Sequence, residues 1–160
     1  EGLLRKEFFM STELKLIRNG DLFTSSCQVI VNPVNCVGVM GAGLAKSFKH
    51  RYPDMFTAYQ YHCGNDLDNP LKPGMLLLYT KSNPWVLNFP TKLHWRDKSR
   101  LCDIDAGMRK LVQSYKHKGI KSIAFPMLGC GLGGLSREDV QQIIHDRVAE
   151  ASDLEAELYI

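Results

Sequence analysis

Two stretches of this sequence concentrate glycine more densely than ordinary turns need. "VNCVGVMGAGLA" (34–45) and "PMLGCGLGGLS" (126–136) each lie between an apolar run and a segment of helical character. Glycine loses more conformational entropy on folding than other residues, so a cluster implies something that must approach the backbone closely. Between a strand and a helix, bare N–H groups suit phosphate oxygens, and a helix N-terminus favours their negative charge. Either stretch alone reads equally well as a tight turn with no ligand. Two together on the carboxyl edge of one sheet favour a diphosphate clamp. A third stretch, "KLHWRDKSR" (92–100), sets Lys92, Arg96, Lys98 and Arg100 against the single Asp97, with His94 and Trp95 interleaved. Cations beside an aromatic suit a polyanion, although a solvated loop is the commoner use of such a composition.

Known phosphate-binding motifs do not fit. Gly38-Val39-Met40-Gly41-Ala42-Gly43 misplaces the middle glycine of the dinucleotide fingerprint, and Lys46-Ser47 comes too late after Gly43 for a P-loop. Hydride transfer on a dinucleotide fold and P-loop hydrolysis are therefore excluded. The five cysteines, Cys27, Cys36, Cys63, Cys102 and Cys130, are odd in number, with no C-x-x-C pair. That pattern gives neither a disulfide framework nor a zinc site, and reduced, mostly buried thiols of a cytoplasmic protein are expected. No metal or cofactor is expected.

The elements that must position these residues follow from periodicity. A chain of 160 residues, 44% hydrophobic and 23% charged, is one globular domain by size and composition. Its net charge of +3 is too small to imply nucleic acid by itself. No apolar run reaches membrane-spanning length, and "EGLLRKEFF" lacks a signal peptide's apolar core. Met10 reads as the natural start of a domain over 10–160, with residues 1–9 an appended or disordered extension. "ELKLI" (13–17) alternates like a strand, and "QVIVNPVN" (28–35) opens like a strand buried on both faces. Residues 42–52 have helical spacing, and Pro53 permits a second short helix to about His62. "MLLLY" (75–79) and "WVLNF" (85–89) are predicted strands around the Ser82-Asn83-Pro84 turn. Residues 101–119 form an amphipathic helix stopped by Gly119, and 121–126 a further buried strand. Ser136 is the N-cap, with Asp139 three residues on, of a helix reaching about Ala149. "EAELYI" (155–160) closes as a strand. The alternation predicts a three-layer α/β/α domain.

Taken in order, "GDLF" (20–23), "VNPVNCVGVMGAGLA" (31–45) and "PMLGCGLGGL" (126–135) resemble the macrodomains, ADP-ribose-binding modules. The resemblance runs from about Leu14 to Ile160 and implies a central mixed sheet. Within that family, "VLNFPTKLHWRDKSRLCDIDAGM" (86–108) is similar to the DarG antitoxins, which remove ADP-ribose from DNA modified by DarT toxins. The resemblance implies an ADP-ribosyl glycohydrolase acting on thymidine of single-stranded DNA, with ADP-ribose as product and a cognate DarT-like toxin as counterpart. DarG proteins usually carry a further C-terminal domain, so it also implies the catalytic piece of a longer protein. A monomer with no membrane partner is expected.

Roles carried over residue by residue are as follows. Asp21 would accept from the adenine amino group, with Leu22 beside it, unless Gly20-Asp21 is only a turn. Tyr159 packs against adenine or into the core. Asn35 would hold the distal ribose hydroxyls or cap the strand end. Gly41, Ala42, Gly43 and Leu44, with Gly129, Cys130, Gly131, Leu132 and Gly133, would wrap the diphosphate and distal ribose. Lys92 matches an essential lysine of DarG and of the related terminal-ADP-ribose glycohydrolases. Burial, or cations such as Arg96 or Lys98, would lower its pKa and free the amine to attack the anomeric carbon. Alternatively, the ammonium steadies charge on the leaving base. Those glycohydrolases have an acid in the second loop where this chain has Gly133, which leaves the lysine alone, a water, or Asn35 to assist. Asn32-Pro33-Val34-Asn35 matches the water-binding "NAAN"-like stretch of other macrodomains only in part. His94, Trp95, Arg96, Lys98 and Arg100 would meet DNA, with Trp95 as a stacking platform or a core residue. A non-catalytic ADP-ribose reader and an O-acetyl-ADP-ribose deacetylase are the alternatives; Lys92 and the basic strip favour the first reading.

Overall fold

The β-branched run that opens residues 28–35 forms a central strand of a six-stranded sheet. In the computed structural model, which describes residues 13–160, strand β2 (Val29–Val34) is buried along almost its whole length. The other strands are β1 (Leu14–Ile17), β3 (Leu77–Tyr79), β4 (Trp85–Pro90), β5 (Ser122–Phe125) and β6 (Glu155–Tyr159). Their order is β1-β6-β5-β2-β4-β3. Every neighbouring pair is parallel except β3–β4, an antiparallel hairpin around the expected Ser82-Asn83-Pro84 turn. The sheet is therefore mixed, and β1, β6, β5, β2 and β4 all end on one edge. Met10 and the extension over residues 1–9 lie outside the described residues.

Side chains alternate across the sheet and meet a different helix pair on each face. Val29 and Val31 point to the face covered by α3 (Leu101–Ser114) and α4 (Arg137–Val148), where Ile104, Met108, Leu111, Val140, Ile144 and Val148 complete one core. Ile30 and Val34 point to the other face, where α1 (Gly43–Arg51) and α2 (Pro53–His62) contribute Phe48, Met55 and Tyr59. The result is the three-layer arrangement. Pro53 separates α1 from α2 by standing at the first position of α2, where its missing N–H costs nothing.

Two boundaries differ from expectation by more than one residue. β3 begins at Leu77 rather than Met75, because the Met75 N–H donates to Lys72 O in the preceding turn. Regular α3 ends at Ser114, although a tightened turn continues to Gly119. There Ile120 N donates to Tyr115 O at 2.9 Å and Gly119 takes a φ of 75°. Tyr115 and Ile120 are both buried, so the apolar spacing persists beyond the last regular turn. The thiols are free but less buried than expected. Only Cys36 is buried; Cys102 is exposed on α3, and Cys27, Cys63 and Cys130 are intermediate. Among the described residues, no helix is long and apolar enough to cross a membrane.

Candidate functional site

The three central strands β5, β2 and β4 deliver their following residues to one place. Pro126 and Met127 follow β5, Asn35 follows β2, and Thr91 and Lys92 follow β4; together with both glycine loops they line a cavity of about 630 Å³. A cleft beyond the carboxyl ends of parallel strands is where open α/β sheets bind ligands.

Asn35 shapes the first loop. Its Oδ1 accepts from Val37 N at 3.1 Å and Val39 N at 3.4 Å, while its Nδ2 donates to Val39 O at 2.8 Å. Tyr59, on α2, donates its hydroxyl to the same Oδ1 at 2.7 Å. The amide thus acts as the strand-end cap, with one Nδ2 hydrogen left for other partners. The loop then delivers Gly43 at a φ of 56° into the start of α1. No side chain caps that helix and no acid stands in its first turn. Gly43, Leu44 and Ala45, whose N–H groups have no partner within the helix, line the cavity at the positive end of the helix dipole.

The second loop works differently. Ser136 caps α4 by accepting from Asp139 N at 3.3 Å, and Glu138 and Asp139 occupy the first turn. The N-terminus of α4 is therefore capped and flanked by negative charge, so of the two helices that follow the glycine loops α1 is the one with an open anion-binding end. What the second loop offers is backbone. Gly129, Gly131, Leu132 and Gly133 line the cavity, whereas Cys130 packs toward the core.

Lys92 is held from both sides. Thr91 N donates to Val34 O at 2.9 Å, and Cys36 N donates to Leu93 O at 2.8 Å, so the β2–β4 pairing continues past the sheet edge. Farther along, Ser99 N donates to Gly133 O at 3.0 Å. The segment from 91 to 99 therefore bridges the two glycine loops, with Lys92 on the cavity wall. Burial lowers the Lys92 pKa below the ordinary lysine value; nearby Asp97 pulls it up and nearby Lys98 pushes it down. Arg96 plays no part in that shift. Its guanidinium lies 4.7 Å from the centre of the Trp95 ring.

Trp95 is 46% exposed and lines the cavity, which resolves its alternatives in favour of a rim residue. Val37, Val39, Leu93 and Leu132 are also exposed apolar side chains on the segments around the cavity. The ring of His94 is 5.0 Å from that of Trp95. Arg96, Lys98 and Arg100 are exposed, but Arg100 is engaged with Asp103 at 3.1 Å.

Asp21, Leu22 and Tyr159 lie outside the cavity lining. They cluster on the same sheet edge, past β1 and β6, where Gly20 packs against the Tyr159 ring. Asp21 Oδ1 accepts from Phe23 N at 3.0 Å, so one carboxylate oxygen is spent on the turn over Leu22–Thr24. Tyr159 is half-buried, with its hydroxyl donating to Glu157 at 3.1 Å. Cavity residues that sequence reasoning passed over include Thr91, Ser99 and Met127. Thr91 adjoins Lys92 and Ser99 lies within the basic strip, and hydroxyls on the segment of a catalytic candidate were the available signal.

An open, mostly parallel sheet whose carboxyl edge carries two glycine loops and an uncapped helix start defines an α/β module with a candidate phosphate site. Residues 31–144 match the Macro domain family, and the chain belongs to that family. Within it, the sequence is 42% identical over 142 residues to the DNA ADP-ribosyl glycohydrolase of Mycobacterium tuberculosis, covering 88% of this chain and 40% of that protein. The chain thus spans about two-fifths of the length of such curated relatives. The solved macrodomain of Mycobacterium tuberculosis DarG superposes with a TM-score of 0.86 at 39% identity, covering 93% of this chain and 98% of that one. Thermosipho africanus DarTG in complex with ADP-ribose gives 0.82 at 35% identity, covering 92% of this chain and 43% of that one.

Proposed function

We propose that this domain is a DNA ADP-ribosyl glycohydrolase that removes ADP-ribose from thymidine bases of single-stranded DNA, reversing the action of a DarT-like transferase. The observation that carries the reading is Lys92, a half-buried lysine fixed on the wall of a cavity built from two glycine loops. A reader that only held ADP-ribose would not need an amine there with a depressed pKa. The names of the similar proteins point the same way.

In this reading the open end of α1 and the second glycine loop hold the diphosphate. The adenosine extends toward Asp21, Leu22 and Tyr159, and the distal ribose toward Lys92. The neutral amine attacks the anomeric carbon as the bond to the base nitrogen breaks. The bonding electrons leave with the base, which gains a proton, and water then releases the sugar from the lysine. Gly133 brings no carboxylate to that second step. The modified strand leaves the cavity past Trp95, Arg96 and Lys98.

Incubation with an ADP-ribosylated thymidine oligonucleotide and, separately, with O-acetyl-ADP-ribose tests the proposal. Release of ADP-ribose and of unmodified oligonucleotide is expected. Tight ADP-ribose binding with the oligonucleotide left modified would make the domain a reader. Turnover of O-acetyl-ADP-ribose alone would make it a deacetylase.

A further inference from the structure

Three buried side-chain atoms among the described residues have no hydrogen-bond partner: Asn32 Oδ1, Asn88 Nδ2 and Ser99 Oγ. The first two belong to register partners on β2 and β4 and lie outside the cavity lining. Ser99 is different, because it lines the cavity while remaining only 6% exposed.

Its surroundings explain how the hydroxyl comes to be unpaired. Ser99 N is tied to Gly133 O, so its Cα is fixed against the second glycine loop. A Cβ built on Gly133 would stand 2.4 Å from Ser99 Oγ and 2.6 Å from Gly129 O. Glycine at 133 therefore leaves room for this hydroxyl and not for a side chain of its own. A buried hydroxyl without a partner is costly, and replacing it with an apolar group of the same shape would be neutral or stabilising. A stability cost concentrated in the wall of a cavity is repaid when a ligand supplies the missing partner.

We propose that Ser99 is a binding residue of this cavity, and that its hydroxyl, turned by rotation about χ1, hydrogen-bonds a hydroxyl of the distal ribose. The assignment rests on the reading of the cavity as an ADP-ribose site. The distal ribose is the partner because Ser99 and Lys92 come from one segment, fixed at both ends to the two loops, and face the same space. The diphosphate is already provided with N–H donors from α1 and the second loop. A sugar hydroxyl, both donor and acceptor, meets whichever role Ser99 Oγ takes.

The test compares wild type with Ser99→Ala by thermal unfolding and by calorimetry with ADP-ribose and with ADP, which lacks the distal ribose. The unliganded variant should melt at the wild-type temperature or above it. Its affinity for ADP-ribose should fall about threefold to tenfold, the worth of one hydrogen bond, while its affinity for ADP stays unchanged. Unchanged affinity for ADP-ribose would overturn the assignment, and an equal loss for ADP would make Ser99 a phosphate contact instead. A lowered melting temperature without ligand would give the hydroxyl a structural role and also overturn it. Failure of the wild-type protein to bind ADP-ribose would overturn the ADP-ribose reading itself, an outcome read before any variant is made.

Discussion

Tyr59 donates its hydroxyl to both oxygens of Asn35, at 2.7 Å to Oδ1 and 2.8 Å to the backbone carbonyl. Burial holds the phenol well above its ordinary pKa, so it remains a donor across the working pH range. One helix on the face of the sheet thereby sets the residue that shapes the first glycine loop. Tyr59→Phe should cost about 1–2 kcal/mol of stability, the range for a buried hydrogen bond whose acceptors lose a partner. Affinity for ADP-ribose should fall several-fold as the loop loosens. Thermal unfolding and calorimetry read the two effects separately. An unchanged melting temperature would mean that Val37 and Val39 hold Asn35 without help.

Gly131 and Gly133 stand two residues apart in one loop and should respond in opposite ways. A Cβ on Gly131 meets nothing within 4 Å, so Gly131→Val projects into the cavity without straining the fold. Ligand affinity should drop by tenfold or more while the melting temperature holds. Gly133→Ala instead drives a methyl into Ser99 and Gly129 O, at 2.4 Å and 2.6 Å, and should destabilise the domain by about 1–3 kcal/mol. If Gly131→Val still binds ADP-ribose as well as wild type, the diphosphate does not pass between the loops. The companion comparison of AMP with ADP-ribose should show the mononucleotide binding far more weakly.

Contact with a DNA strand should leave a signature in salt. Each phosphate neutralised on a single strand contributes a slope of about −0.7 in log affinity against log salt. Arg96, stacked on Trp95 at the cavity rim, should account for about one such contact. Arg100 should contribute less, because Asp103 already engages its guanidinium in two hydrogen bonds. Arg96→Ala should therefore weaken oligonucleotide binding and flatten the salt dependence, with Arg100→Ala close to wild type and free ADP-ribose binding unaffected by either. A binding curve for oligonucleotide that is flat across salt would remove the basic strip from the DNA interface.

Much of this arrangement is legible in the sequence because it depends on neighbours along the chain. β2 announces itself by uninterrupted β-branched residues, and both glycine loops fall where strand meets helix. The Ser136 cap of α4 was readable from Asp139 three residues on, but the open helix end expected behind both glycine loops is found behind the first and not the second. The contributions that were not legible come from contacts distant in sequence. Nothing local to Asn35 reveals that Tyr59 will take its Oδ1, a bond that makes the residue an organiser of the first loop. Likewise Ser99 looks like one polar residue in a basic strip until the fold sets it against Gly129 and Gly133. The depressed Lys92 pKa had two suggested cationic causes besides burial; Lys98 contributes, whereas the Arg96 guanidinium lies over the Trp95 ring.

The role of Lys92 can be decided by the direction in which activity responds to pH. Burial places its pKa below the ordinary lysine value of about 10.4, so the neutral amine becomes available at lower pH than for a solvated lysine. If that amine is the nucleophile, kcat/KM must rise with pH and level off above the folded pKa. If the ammonium merely stabilises the departing base, activity must fall through the same pKa. Neighbours supply the internal control. Lys98 lowers the Lys92 pKa, so Lys98→Gln should move the inflection to higher pH. Asp97 raises it, so Asp97→Asn should move the inflection to lower pH, while its remaining amide oxygen can still accept from His94 N. Lys92→Ala should abolish release of ADP-ribose from DNA with ADP-ribose binding retained. Lys92→Arg, which keeps a cation but has no usable amine, should be equally inactive under nucleophilic attack and partly active under charge stabilisation. Reductive trapping of a lysine–ribose adduct in wild type and not in Lys92→Arg would identify the covalent route. Wild-type turnover by Lys92→Ala would remove the lysine from the chemistry and make Asn35, with a bound water, the leading candidate.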